Sequence, residues 1–365
     1  MGNKLGARRY GLPVLVVLLV ACIFSLLFYP MTHMHPRGLQ FAVLSLDEGM
    51  STPAGDVNAG DGVVEAMVGQ SDDPDATIAW TPVDSQEALD AALADNEYYG
   101  AVIIPADFTA RQAAAQTTGE GQPSLQVRLD NAKSPLVTNL MRTQIASVFE
   151  QMGVGTDIEV IHAGPSTAAT NMIGTMLSQQ LSVMPTVLFS LICSALLSLL
   201  VVPVRGLGRA SRLPALGKQL GGIAVLSLLV GAVVWCMLRL IADVDVSAAA
   251  LGFLWMSAAA LMLVFTSAFD IHPALGALVA IGVFALGTSC GILPLEVLPA
   301  FWQDWVYGWV PQRFIGEGMR QIIYMGTGVW NRAGLPLVLT GCAGLVLAAL
   351  SMIVPSRRPA TTRPA

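Results

Sequence analysis

The chain has 365 residues, of which 54% are hydrophobic and only 12% charged. Soluble globular domains carry roughly 25% charged residues, so this composition excludes an ordinary soluble protein and points to an integral membrane one. The formal net charge of −6 conceals a sharp segregation of charge along the chain, and no nucleic-acid partner is expected of it.

A short basic N-terminus, residues 1–10 with Lys4, Arg8 and Arg9, precedes the first of six apolar runs. A membrane-crossing helix needs roughly 20 such residues. The runs fall at 11–29, 183–203, 220–241, 248–268, 274–293 and 334–354. Arg205, Arg209, Arg212 and Lys218 lie between the second and third, and Arg357, Arg358 and Arg363 follow the sixth. If all six runs cross, these cations and those of the N-terminus fall on one side. Lys and Arg collect on cytoplasmic loops, so both termini, including the tail 355–365, are expected inside. The inner turn around Asp270 and His272 carries no cation and is the exception.

Within the first run, "LVAC" at Leu19–Cys22 has the form of a lipoprotein cleavage box. The apolar run continues through "IFSLLFYP", which favours an uncleaved span. The five cysteines, Cys22, Cys193, Cys236, Cys290 and Cys342, all fall in or beside apolar runs, with no metal-site spacing among them. "MTHMHP" at Met31–Pro36 offers soft ligands to copper or serves as an interfacial linker.

Residues 30–182 hold 19 acidic side chains against five basic ones, a net charge of −14, and no cysteine. They are read as an outward-facing α/β domain with one core. "FAVLSLD" reads as a strand, "DGVVEAMVG" as a helix and "TIAWTPV" as a strand. Asp84 or Ser85 caps the helix "QEALDAALADN". "YYGAVIIP" reads as a strand buried on both faces, and "DFTARQAAAQ" as a helix capped by Asp107. "SLQVRLD" is a strand. "SPLVTNLMRTQIASVFEQM" is a helix with its apolar side at Leu136, Leu140, Ile145, Val148 and Met152. "DIEVIH" closes as a strand. "TAATNMIGTMLSQQLSVMP" leads as a helix into the second run.

No nucleophile–base constellation is visible. "LGKQ" at Leu216–Gln219 suggests a phosphate loop, but Arg212 stands where the first Gly belongs and Gln219 replaces Ser/Thr. The chain is therefore not expected to hydrolyse ATP itself. The stretch 291–326, "GILPLEVLPAFWQDWVYGWVPQRFIGEGMRQIIYMG", is apolar yet broken by Pro294, Pro299 and Pro311. Trp302, Trp305 and Trp309 suit the headgroup level. Arg313, Glu317 and Arg320 have helical spacing and can pair along one face. Irregular backbone survives at membrane depth only where protein or a water-filled cavity covers it.

"FYP", "FAVLSLDEG", "WTPVDSQEAL", "YYGAVIIPADFT", "LQVRLDNAKSP" and the "LP…P…GMR" run occur in that order. In this arrangement the whole chain resembles the phage-infection-protein-like branch of the type-two ABC exporter permeases. The resemblance implies a polytopic α-helical protein of six spans with an extracytoplasmic α/β domain between the first two. Residues 183–354 would form the five-helix part. A separate ABC ATPase subunit would dock on a coupling loop, 204–219, through Arg205, Arg209, Arg212 and Lys218. Residues 294–333 would form an outer re-entrant or interfacial segment, with Trp305, Pro311, Arg313, Glu317 and Arg320 at its gate. Two permease chains, identical or related, would enclose the path in the lipid bilayer, with no cofactor or metal. The segment before the first run is shorter than such exporters often have.

The expected function is outward movement of a lipid-like, drug-like or peptide substrate. The alternative is a membrane-anchored receptor or accessory scaffold of a secretion system, for which the acidic domain would be the working part. For Arg239, near the outer end of the third run, snorkelling, a pair with Asp243 and a substrate contact all stay open.

Overall fold

The computed structural model describes residues 3–53, 55–118, 123–151, 153–164, 172–205 and 207–353. The chain divides into two compact units: Met1–Met34 with Leu177–Ala365, and His35–Met176.

The second unit is an α/β layer structure. Its main sheet has the order β4-β1-β5-β6-β7, from strands β1 (Leu39–Ser45), β4 (Ile78–Pro82), β5 (Gly100–Ile104), β6 (Ser124–Asp130) and β7 (Gly155–Ile161). A small hairpin, β2 (Met50–Thr52) with β3 (Gly55–Val57), stands apart from it. β1 pairs in parallel with both β4 and β5, β5 is antiparallel to β6, and β6 is parallel to β7. The helices are α2 (Ala59–Gln70), α3 (Gln86–Ala94), α4 (Phe108–Thr118) and α5 (Pro135–Gln151).

Strand alternation sends successive side chains to opposite faces. Ala42, Leu44, Ala101 and Ile103 meet Leu89 and Leu93 of α3 on one face. Phe41 and Trp80, register partners on the other, hold their rings 5.6 Å apart. β5 is buried at all five positions, as its unbroken apolar run requires.

Ser85, not Asp84, caps α3, accepting from the Ala88 N–H. Asp107 precedes α4, and its carboxylate pairs with Arg111 at 2.6 Å. Asp47, just after β1, fastens two helix starts. Its carboxylate accepts from the backbone N–H of Gly60 (2.9 Å) and Thr109 (3.1 Å) and from the Thr109 hydroxyl. Burial pushes this carboxyl upward, but the bonds from Thr109, Gly60 and Gly49 outweigh it and hold its pKa below the usual value. Asp130, at the end of β6, is fully buried and its pKa is raised by burial. A 2.8 Å bond to His162 and a 2.7 Å bond from the Ala132 N–H offset this only in part.

The expected apolar side of α5 needs correction. Leu136, Val137, Met141, Ile145 and Phe149 are buried, while Leu140 is half-buried and Val148 is 53% exposed. Met152 lies outside the described residues.

The first unit is helical: α1 (Asn3–Thr32), α6 (Met172–Leu196) running into a π-helical turn at Leu197–Val201, α7 (Arg209–Leu240), α8 (Ala248–Ile271), α9 (Pro273–Gly287), α10 (Pro311–Met325) and α11 (Gly334–Ser351). Among the described residues five helical segments are long and apolar enough to cross a membrane: Val14–Thr32, Leu177–Val201, Ala210–Leu240, Ala248–Ile271 and Gly334–Ser351. The run expected to span over 274–293 does not form one long helix. α9 has 15 residues, about 22 Å at 1.5 Å per residue. It then gives way to tight turns at Ser289–Gly291 and Leu295–Val297. Cys22 falls in the continuous helix α1.

α8 lies at the centre, packed by α7, α9, α10 and α11. Close approach depends on small residues, as is common between membrane helices. A Cβ at Gly231 of α7 would sit 2.9 Å from the Trp255 backbone N of α8. One at Gly344 of α11 would sit 2.7 Å from the Leu263 backbone.

Candidate functional site

Side-chain contacts sort the helical unit into two differently built ends. At one end α9 stops, and the carbonyls of its last turns take side-chain donors. The following segment supplies them. Gln312 Nε2 donates to Val283 O (2.6 Å), Trp302 Nε1 to Leu286 O (3.0 Å) and Thr288 Oγ1 to Phe284 O (2.6 Å). Ser289 Oγ donates to Leu27 O of α1 at 2.9 Å, and Trp302 stacks on Tyr29 with centroids 5.7 Å apart. This is how irregular backbone is satisfied in apolar surroundings.

The segment itself is a chain of tight elements. Short 3-10 turns at Ser289–Gly291 and Leu295–Val297 precede a π-helical turn at Trp302–Val306 and then α10. Pro311 stands in the first turn of α10, where its missing N–H costs nothing. α10 buries Gln312, Ile315, Gly316 and Met319, one helical stripe. It ends at Gly326, in the left-handed conformation (φ 65°) that glycine adopts without strain. Gly316 lies so close to the earlier turn that a Cβ there would be 2.1 Å from Gly291 O.

Arg313 and Glu317 form an ion pair at 2.8 Å. The Arg313 guanidinium lies over the Tyr307 ring, 4.3 Å from its centroid, and the Tyr307 hydroxyl donates to Glu317 (3.1 Å). Arg320 is not part of that pair. It is 9% exposed and makes no ion pair among the described residues. Trp302 is buried, whereas Phe301, Trp305, Trp309 and Trp330 are exposed, an aromatic group of the kind that seats at a headgroup layer. Arg239 pairs with Asp245 at 2.5 Å, not with Asp243, and lies over the Trp235 ring.

The other end holds the cationic segment. The expected loop 204–219 is mostly helix, because α7 begins at Arg209 and includes "LGKQ". Arg205 and Lys218 are exposed, whereas Arg212 is buried. The Arg212 guanidinium donates to the carbonyls of Leu207 (3.1 Å), Ser351 (3.3 Å) and Met352 (2.8 Å). It therefore caps α11 and turns inward. The side chains of Lys4, Arg8, Arg9 and Arg209, and all of residues 354–365, lie outside the described residues.

Beside it, Asp270 of α8 is 4% exposed. Its Oδ1 accepts from Ser198 Oγ (2.5 Å) and Gln219 Nε2 (3.1 Å), and Gln219 also donates to Val202 O (2.8 Å). Asp270 Oδ2 is buried without a hydrogen-bond partner. This knot joins the end of α6, the start of α7 and the end of α8. Sequence reasoning noticed Asp270 only as an uncharacteristic inner turn. The available signal was an acid inside an apolar run, which needs a partner.

A polytopic membrane protein with a large α/β unit between its first two long helices is the class these features define. Residues 12–203, more than half of the chain, match the model of the ABC-2 family transporter proteins. The chain belongs to that family and is a membrane permease component of an ABC transporter, which in general works with a separate ATP-binding subunit. No curated protein matches it.

Proposed function

We propose that the chain is the permease of an exporter, of the phage-infection-protein-like branch, and moves a lipid-like, drug-like or peptide substrate outward. One observation carries this reading: the two ends of the bundle are made for opposite surfaces. Exposed aromatic residues and the side-chain-satisfied turns gather at the end of α1 that leads into the acidic α/β unit. Exposed Arg205 and Lys218 stand at the opposite end, beside the Asp270 knot.

On this reading the termini are cytoplasmic, the α/β unit is extracytoplasmic, α9 is the short fifth crossing of six, and residues 294–333 with α10 form the outer re-entrant or interfacial element. A partner ATPase docks near Arg205 and Lys218, and it alone hydrolyses ATP. Two permease chains enclose the path. Arg212 drops out of the docking surface, since its guanidinium is committed to α11.

The test is purification of the tagged chain from native membranes, with mass spectrometry of what accompanies it. A stoichiometric subunit carrying a Walker A motif, reduced in an Arg205→Glu/Lys218→Glu double variant, supports the reading. Envelope or secretion proteins without any ATPase would overturn it in favour of a scaffold.

A further inference from the structure

The α/β unit contains a groove that its fold does not need. α2 covers β1 and β4, while α5 covers β6 and β7. Between the two helices lies a cavity of about 750 Å3. Its floor is Ile78 and Trp80, and its walls carry Met67, Met141, Ile145 and Val148. Ligand sites for small molecules run from about 300 to 1,000 Å3, mostly apolar with a few polar groups. Val148, whose exposure broke the expected pattern of α5, is explained by this groove: it is a wall residue, 53% exposed.

The polar lining is asymmetric in charge. Asp73 is the sole charged residue among the described lining, and it is exposed in the turn "SDDPD". Its Oδ1 accepts from the Asp75 N–H (2.9 Å), and it makes no ion pair among the described residues. Asp75 is paired with Arg37 at 3.2 Å, so among the described lining the negative charge of Asp73 is left without a counter-charge. The excess of acid over base throughout residues 30–182 repels anions further.

We infer that this groove binds a small cationic amphiphile, its apolar body against Trp80, Ile145 and Val148 and its positive group at Asp73. An anionic amphiphile such as a fatty acid would place its carboxylate against like charge. The site is separate from the translocation path proposed above, and binding to it does not depend on transport.

The test uses the full chain in lipid nanodiscs with rhodamine 6G, a fluorescent lipophilic cation, read by anisotropy against empty nanodiscs. The wild type is expected to bind saturably. Val148→Arg, at an exposed position that leaves the core intact, is expected to weaken binding more than tenfold by placing a cation on the wall. Asp73→Asn is expected to weaken it roughly two- to fivefold, the scale of an exposed ion pair, and to leave binding of the neutral dye Nile red unchanged. Binding no greater than to empty nanodiscs overturns the inference. So does wild-type affinity in Val148→Arg, or a preference for the anionic dye anilinonaphthalene sulfonate. Unchanged affinity for rhodamine 6G in Asp73→Asn overturns the assignment of a positive ligand.

Discussion

Gly316→Ala is the sharpest perturbation of the outer segment. The added Cβ would lie 2.1 Å from Gly291 O and 3.0 Å from Gly291 C. A carbon and a carbonyl oxygen rest comfortably at about 3.3–3.6 Å. α10 must therefore retreat by about 1 Å or more, and the obstacle is backbone, which cannot swing aside as a side chain does. Overpacking of this kind costs typically about 1–3 kcal/mol. Such a retreat would also strain the 2.6 Å bond from Gln312 to Val283 O, which lies on the same stripe of α10. One kcal/mol shifts the melting temperature by about 2–4 °C in a unit of this size, so a fall of several degrees is expected for the purified protein. Gly282→Ala in α9 is the control. Its Cβ meets nothing within 4 Å, and replacing a mid-helix glycine gains about 0.5–1 kcal/mol. If Gly316→Ala melts with the wild type while Gly282→Ala behaves as expected, the close seating of α10 on the 289–291 turn is wrong.

Arg212→Ala should lower thermal stability by about 1–3 kcal/mol, because the end of α11 loses its donor. The Arg205→Glu/Lys218→Glu variant should leave the melting temperature unchanged, and equal effects of the two changes would refute the distinction. Asp270→Ala should cost about 1–3 kcal/mol by stranding the Ser198 and Gln219 donors, whereas Asp270→Asn keeps an acceptor oxygen and should cost clearly less. Thermal melts of the two variants check the order. Asp47→Asn should destabilise the α/β unit by about 1–2 kcal/mol at neutral pH, through weaker bonds to the starts of α2 and α4. The folded-state pKa of Asp47 is lowered, so its contribution is present above the unfolded value of 3.8 and is lost as pH falls through the lower, folded one. Pulse proteolysis at neutral and at strongly acidic pH should show the difference between variant and wild type shrinking. A difference that persists in acid would remove the charge from the explanation.

Local pattern carried the α/β unit far. "FAVLSLD" and "SLQVRLD" read as strands and became β1 and β6, the unbroken apolar run gave β5, and of the two cap candidates for α3, Asp84 and Ser85, the second caps it. Periodicity found α5 but misjudged which side was buried. Val148 is apolar because it lines a groove, and Phe149 beside it takes the core position instead. A hydrophobic count cannot separate those two roles, since both place an apolar side chain in the sequence. The fifth apolar run shows where length and helix part company. Residues 274–293 are apolar apart from Thr288 and Ser289, yet the α-helix stops at Gly287, and the turn that follows is buried.

What the chain order hid were pairings over long separations. Arg212 looked like one of four interchangeable cations, and only the arrival of α11 beside it turns it into a cap. Gln219 counted against a phosphate loop, and its actual task is to reach Asp270, 51 residues on. Asp270 was the feature that weakened the charge argument for orientation, an acid in an inner turn without cations. In the folded unit a serine 72 residues earlier and that glutamine both donate to its Oδ1. The exception to the charge rule and the buried knot are thus one fact: the acid at that end of α8 serves to tie three helices together, and residues spent on internal ties do not report which side of the membrane they face.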